Sequence, residues 1–231
     1  DIFVQIIVRR RSTIPDGLAR DATQHLSRVV RRNHGVPAAQ PVVHHEVHLL
    51  LYGMHVEGVP HLFANGGIHY DMTFIEKIES PNGDTVKDNT KPKGKRVLDE
   101  QVAYLITDIL KDRSVRSVNG VRVTAALKTG TTTSTKDFWT MGYSDHITAG
   151  LWVGNHDNKE MAASSSLLVA APIWTQLMNE THTKKNWSSR EFKKPAGIKR
   201  ITLDTDTGKT PTDVTKRRHS DIFASNYTCL L

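Results

Sequence analysis

The clearest periodic segment runs from Asp99 to Lys111. Val102, Ala103, Leu105, Ile106, Ile109 and Leu110 fall on one helical face, and Asp99 with Glu100 suits a first turn. Three strand patterns follow. Val121 to Thr129 ends at Gly130. Phe138 to Tyr143 and Ile147 to Asn155 are separated by Ser144-Asp145-His146, a connection short enough for antiparallel neighbours. Gly142 and Gly150 lie inside these runs, where a bulge or a close backbone approach is expected. Ala162 to Glu180 then predicts a long helix too densely apolar for a one-sided surface helix, with Pro172 marking a kink or a fresh start.

The earlier half is less regular. Asp21 caps a short amphipathic pattern over 20 to 33 that carries Leu26, Val29 and Val30. Phe63-Ala64-Asn65-Gly66-Gly67 reads as a helix stop, with Asn65 and the glycines suited to left-handed backbone. Ile68 to Ile78 alternates in part, Ser80-Pro81-Asn82-Gly83-Asp84 is a turn, and Thr85-Val86 is extended, which together predict a small hairpin. After His182 the chain becomes polar and basic. One extended piece, Gly197 to Leu203, precedes a turn at Asp206-Thr207-Gly208-Lys209. This order predicts an α+β fold, an antiparallel sheet covered by helices as an α/β sandwich, and excludes a nucleotide-binding βαβ chain.

At 231 residues with 38% apolar side chains, the chain supports one good-sized core, or one core with a loose tail. Its single cysteine, Cys229, excludes a disulfide scaffold and a cysteine-cluster zinc site. No stretch reaches the roughly 18 to 20 apolar residues that span a bilayer. The first residue is Asp1, directly before an apolar run, and the chain reads as a piece of a longer one. Net charge is +7, with basic runs at Arg9 to Arg11, Arg28 to Arg32 and Lys184 to Arg218. These are read as a solvated helix face and a basic tail. Aromatics are not interleaved with them, which argues against a single-stranded nucleic-acid groove. His45-Glu46-Val47-His48 lacks zinc-protease spacing, and His44 with His48 makes only a two-histidine pair. No metal and no cofactor is implied.

The candidate chemistry sits at Lys128-Thr129-Gly130-Thr131-Thr132. A strand-borne lysine can place an ammonium in a cleft, threonine hydroxyls can meet a carboxylate, and glycine lets a substrate lie against the strand edge. The residues before Lys128 are Ala125-Ala126-Leu127, so a phosphate loop is excluded. On spacing alone, Lys128 reads better as a surface lysine at a strand end, with a threonine-rich loop after it.

Residues 61 to 180 resemble the C-terminal half of the transpeptidase domain of class A, bifunctional penicillin-binding proteins, with matching pieces in family order. Phe63 to Gly67 resembles the helix end before the inserted hairpin, which here spans 68–96. Phe74 to Ile78 and Asn82-Gly83 resemble that hairpin. Arg96 to Asp99 and the helix through Tyr104, Thr107 and Asp108 come next. Then follow Lys128 to Thr132, Lys136-Asp137-Phe138-Trp139, Gly142-Tyr143, Val153-Gly154-Asn155 with Asp157-Asn158, and Ala171-Pro172-Ile173-Trp174. Pro195 to Ile198 and Asp206 to Lys209 are similar to the extension after this domain. The resemblance implies a partial transpeptidase domain over 1–182, poorly matched over 1–60, and a basic extension over 183–231.

It also implies a serine acyl-enzyme mechanism on cell-wall stem peptides ending in D-Ala-D-Ala, and binding of β-lactams. By the family pattern Lys128 supplies positive charge near the substrate carboxylate, while Thr129, Thr131 and Thr132 line the site. The Thr131 N–H joins the oxyanion hole. The family nucleophile lies in Ser-x-x-Lys, a spacing that occurs nowhere in this sequence; Thr133-Ser134-Thr135-Lys136 begins with threonine. Ser80-Pro81-Asn82 matches the second motif, Ser-x-Asn, but lies out of family order. The true copy is expected near or before Asp1, with Ile2 to Gln5 as the helix after it. The isolated chain is therefore expected to be inactive, with the missing half supplied upstream or by a second chain. The parent is expected at the outer face of the cell membrane, with a glycosyltransferase domain upstream. Alternatives are a serine β-lactamase or D,D-carboxypeptidase, a non-catalytic penicillin- or wall-binding module, and a basic nucleic-acid-binding protein.

Overall fold

The computed structural model describes residues 2–10 (backbone), 60–71, 75, 77–114, 118–155, 157–162 and 165–225. The sequence expectations at 20 to 33, at His44, His45, His48 and His55, and at Cys229 lie outside the described residues.

A four-stranded antiparallel sheet organises the molecule. Its strands are β1 (Ile2–Arg10), β6 (Ala126–Thr131), β7 (Asp137–Tyr143) and β8 (Ile147–Asn155), in the order β1-β8-β7-β6. Between β1 and β6 the chain forms four short strands, β2 (Ile68–His69), β3 (Lys77–Glu79), β4 (Thr85–Asp88) and β5 (Lys95–Arg96), followed by helix α1 (Glu100–Lys111). After β8 come helix α2 (Ala170–Lys184) and the strands β9 (Ile198–Asp204) and β10 (Arg218–Ala224).

The expected helix at Ile2 to Gln5 is instead strand β1, paired residue for residue with β8 from Ile2↔Asn155 to Arg10↔Ile147. Its β-branched residues favour an extended backbone, and the pairing satisfies the outer edge of β8.

Side chains alternate across the sheet, so each face has its own partner. Leu127, Gly142 and Ala149 stand side by side in register. They face α2, whose Trp174 is fully buried and donates its indole N–H to the Ala149 carbonyl at 2.9 Å. On the other face Ala126 pairs with Tyr143. Phe192 packs there edge-on to Tyr143, and the Tyr143 hydroxyl meets Thr107 of α1 at 2.9 Å. The architecture is a sheet between helices.

Helix α1 begins where Asp99 caps it, accepting from the backbone of Gln101 and Val102, and ends at Lys111 as the pattern predicts. Helix α2 begins eight residues later than predicted and runs past Glu180 to Lys184. Pro172 occupies its third position, where an N–H has no intrahelical acceptor, so the proline starts the helix and does not kink it. The predicted strand from Val121 also begins late, at Ala126. The Arg122 N–H goes to Asn179 Oδ1 at 2.9 Å and the Thr124 N–H to Ser189 Oγ at 2.7 Å. Side chains thus intercept backbone groups that would otherwise join a ladder.

The hairpin predicted between Ile68 and Val86 is present as β3–β4, and β2–β5 closes its base. The helical turn at 60–64 ends with Gly66 at φ 62° and Gly67 at φ 89°. Asn65 is not left-handed; its N–H completes the turn on His61 O at 3.0 Å. Strand β10 was not anticipated. Its first half, Arg218-His219-Ser220-Asp221, is wholly polar and carries no apolar alternation. It pairs with β9 in a hairpin that sits beside α1.

Gly142 is the close approach between the sheet and α2. A Cβ there would lie 2.6 Å from Ala126 O, 2.6 Å from Trp174 Cζ2 and 2.7 Å from Leu127 Cβ. Gly142→Ala is expected to destabilise the fold by about 1–3 kcal/mol, because a backbone atom and two core side chains must all shift. Urea denaturation with both chains at equal slope checks this.

A second buried cluster carries a pH dependence. Buried His182 bonds Ser144 Oγ at 2.9 Å, and the His146 ring stacks on Trp187 with centroids 4.8 Å apart. Burial pushes the His182 imidazole below its ordinary value and His146 adds to this, while Asp145 and the Trp187 backbone act oppositely. The unfolded chain therefore takes up this proton at higher pH than the folded one. The resulting stability is complete above about pH 6.5 and is lost as pH falls toward the folded-state value. Melting midpoints measured from pH 8 to 5 should fall on acidification, and His182→Gln should flatten that fall.

Candidate active site

Among the described residues β6 is one edge strand of the sheet, with β1 at the other, and its hydrogen-bond parity decides what it can offer. The Thr132 N–H donates to Asp137 O at 3.1 Å, which makes that pair a hydrogen-bonded one. Antiparallel pairs alternate, so the backbone groups of Lys128 and Gly130 face β7. Those of Thr129 and Thr131 face the open edge. The Ser144 N–H to Ile147 O bond, 2.9 Å, sets a consistent parity on the other side of β7.

Lys128 curls over this edge. It is exposed, and its ammonium donates to the neighbouring Thr129 carbonyl at 2.7 Å. A fixed positive charge and the outward N–H of Thr131 thus lie along one strip of backbone. The side chains divide differently. Lys128 and Gly130 share one face of the strand, while Thr129 and Thr131 share the face toward α2.

Ser166 braces the strand end. Its hydroxyl donates to Gly130 O, its N–H donates to Thr131 Oγ1 at 3.0 Å, and the two hydroxyl oxygens are 2.7 Å apart. The Thr131 hydroxyl is therefore already engaged within the chain. Thr132 Oγ1 accepts from the N–H groups of Lys136, 3.1 Å, and Asp137, 3.0 Å, and so shapes the β6–β7 turn. Thr135 takes a left-handed φ of 51° in that turn. Sequence reasoning missed Ser166, because residues 162 to 180 read as one helix. The cluster Ser164-Ser165-Ser166, polar within an apolar run, was the available signal.

Leu167 and Leu168, expected to pack in that helix, are exposed next to this brace. Trp152 donates its indole N–H to Asp137 Oδ1 at 2.9 Å and lies against Gly154, where a Cβ would be 2.3 Å from Trp152 Cζ2. Asn155 Nδ2 donates to the carbonyls of Lys159, 3.0 Å, and Glu160, 3.2 Å. These residues hold the turn side of the sheet.

Ser80-Pro81-Asn82 lies in the β3–β4 turn, with Asp84 N–H on Ser80 Oγ at 3.1 Å. It is not brought to the β6 edge as part of the sheet. The same spacing recurs at Ser117-Val118-Asn119, also after α1 and so out of family order; Ser117 lies outside the described residues. Among the described residues no group of three or more His, Cys, Asp or Glu side chains could hold a metal ion, and no helix is long and apolar enough to cross a membrane. A cleft of about 250 Å³ lined by Arg122, Asn179, His182 and Trp187 lies against α2, apart from the Lys128 strip.

The family model for the penicillin binding protein transpeptidase domain matches residues 59–179. The chain belongs to this family. Penicillin-binding protein 1A of Clostridium perfringens is 29% identical over 157 residues, covering 66% of this chain and 19% of that protein. Penicillin-binding protein 1A of Aquifex aeolicus is 33% identical over 122 residues, covering 51% and 17%. The chain thus spans about a fifth of these relatives' length. Among solved structures, penicillin-binding protein 1A of Haemophilus influenzae aligns with TM-score 0.62 at 20% identity, over 75% of this chain and 32% of that one. PonA1 of Mycobacterium tuberculosis aligns with TM-score 0.54 at 25% identity, over 62% and 41%, and has also been solved with penicillin V. The fold is that of a penicillin-binding transpeptidase domain in part.

The Ser166 brace gives a test of this site's rigidity. Ser166→Ala is expected to cost about 1–2 kcal/mol, since it removes the hydroxyl bonds to Gly130 and Thr131. Faster amide hydrogen exchange at Gly130 and Thr132, whose N–H groups face β7, relative to Ala126 would localise the effect to the strand end. Unchanged exchange would show that the brace does not hold it.

Proposed function

We propose that the open edge of β6 is one wall of a D,D-transpeptidase active site that acts on stem peptides ending in D-Ala-D-Ala and binds β-lactams. The observation that carries this is the strip on which the Lys128 ammonium meets Thr129 O while the Thr131 N–H faces outward. An extended peptide can add to such an edge, with main-chain bonds to Thr129 and Thr131. Its terminal carboxylate then meets the Lys128 charge, and the Thr129 hydroxyl lies beside it on the opposite face. The Thr131 N–H is free to point at the oxygen of the attacked carbonyl, where negative charge grows during acyl transfer.

The nucleophile comes from the rest of the domain, since no Ser-x-x-Lys occurs in these 231 residues. A serine activated by its lysine forms the acyl-enzyme and expels D-alanine, and an amine of a second stem peptide takes the acyl group. Residues 1–182 form part of the transpeptidase domain and 183–231 its basic extension. The parent works at the outer face of the cell membrane. The penicillin V complex of PonA1, and the naming of the relatives as penicillin-binding proteins, support this reading.

Fluorescent penicillin tests it. In a protein carrying the whole domain, label should map to a serine of Ser-x-x-Lys outside these residues, and Lys128→Ala should slow acylation about 10²- to 10³-fold. The 231-residue chain alone should remain unlabelled. Acylation unchanged by Lys128→Ala would exclude the role given to this lysine. Release of the acyl group to water alone, with an amine acceptor present, would point to a hydrolase.

A further inference from the structure

The chain's charge is segregated. Residues 184–218 hold eleven of its 31 basic side chains and four of its 24 acidic ones, so the other residues balance at 20 against 20 and the entire net charge of +7 belongs to this segment. All eleven cations are exposed. Arg217 alone of them is in an ion pair among the described residues, with Asp206 at 3.1 Å. The acidic groups are largely occupied elsewhere. Asp204 accepts from Thr215 and from the backbone of Asp206 and Thr207, and Glu191 faces Lys111 of α1 at 3.9 Å.

We infer that this segment is a docking surface for a flexible polyanion whose charges are phosphates on a non-aromatic backbone. Three observations select that occupant. First, the cations are distributed over the end of α2, the loop at Arg190 to Lys194, strand β9 and the β9–β10 connection. Lys199 and Arg200 are adjacent in β9 and so project from opposite faces, and both are exposed. A flat bilayer meets one face of a hairpin, whereas a flexible chain can follow both. Second, the aromatic side chains of the segment are already engaged. Trp187 stacks on His146, and Phe192 is buried against Tyr143. Trp187, half-buried with one face on His146, and buried Phe192 leave no row of free rings along the basic surface on which successive bases could stack. Third, a single large apolar side chain, Val214, is prominently exposed in the segment, too little for insertion among acyl chains. Unpaired lysine and arginine heads suit phosphate oxygens through charge-assisted hydrogen bonds, and release of counterions drives the association.

The test uses the full chain with long-chain polyphosphate and poly(glycerol phosphate) as probes. Phosphatidylglycerol vesicles and a single-stranded oligonucleotide of matched charge are the competitors. Both polymers should bind, with affinity falling at least tenfold between about 50 and 200 mM salt. Combining Lys193→Gln, Lys194→Gln, Lys199→Gln and Arg200→Gln should weaken binding at least tenfold with an unchanged melting curve. Lys209→Gln with Lys216→Gln should weaken it by a smaller factor. A control that removes as many charges elsewhere, at Lys87, Lys91, Lys93 and Arg113, should leave affinity within twofold. The inference is overturned by equal losses in the control, by salt-independent binding, by no binding, or by tighter association with the vesicles or the oligonucleotide. None of these results depends on acyl transfer, so failure here leaves the active-site reading untouched.

Discussion

Trp174 rests on a sheet that can receive it at Gly142, because any Cβ there would collide with its ring. The indole is fully buried and its N–H is spent on Ala149 O, so the ring fixes α2 to the middle of β7 and β8 at once. Removing such a side chain typically costs about 3–5 kcal/mol, which makes it one of the larger single terms in the fold. Its consequence for the edge strand is register. A slip of one residue between β6 and β7 would carry Leu127 out of the core and turn Lys128 toward α2. It would also exchange the inward and outward backbone groups, so that Thr131 would no longer offer its N–H to the open side. The chemistry of the edge is thus set from the core.

Most residues that carry the family resemblance serve this architecture and do not touch the Lys128 strip. Asp137 receives the Trp152 indole, Gly154 gives that ring room, and Asn155 ties down the loop through Lys159 and Glu160. Pro172 begins the helix that brings Trp174 to the sheet. A motif match over such residues is strong information about fold and weak information about reaction. The reaction chemistry proposed for this chain rests on the few groups of the β6 edge, which the rest of the pattern places there.

The sequence was most legible where one periodicity and one local signal agreed. Asp99 announced α1 by its capping geometry, and the six apolar positions after it kept helical phase. Strands β7 and β8 were legible because both are largely buried, β8 almost throughout, and bounded by a tight connection. Legibility failed where tertiary partners decided the outcome. Nothing local tells that Asn179 and Ser189, more than fifty residues downstream, take the N–H groups of Arg122 and Thr124 and delay β6. Ile2 to Gln5 suited a helix or a strand until β8 supplied an edge. At the site, Lys128 to Thr131 could be named from the motif. The Ser166 brace could not, because it rests on a contact 35 residues distant in sequence that ends a helix pattern early.

The same brace clarifies why the β6 edge calls for a covering element. An edge strand with outward N–H and C=O groups is a template for pairing with another chain, and proteins blunt such edges with charge, distortion or a cover. Here Lys128 supplies the charge, and its bond to Thr129 O occupies one outward carbonyl. Thr131 remains open, and the exposed Leu167 and Leu168 lie beside its hydroxyl's partner, Ser166. Apolar side chains gathered next to unpaired backbone suit a packed neighbour more than water. In the proposed reading, the segment that supplies the nucleophile lies on this open side of β6, where an extended peptide would run against Thr129 and Thr131. The physical demand for a cover and the chemical demand for a nucleophile thus fall on the same side of the same strand.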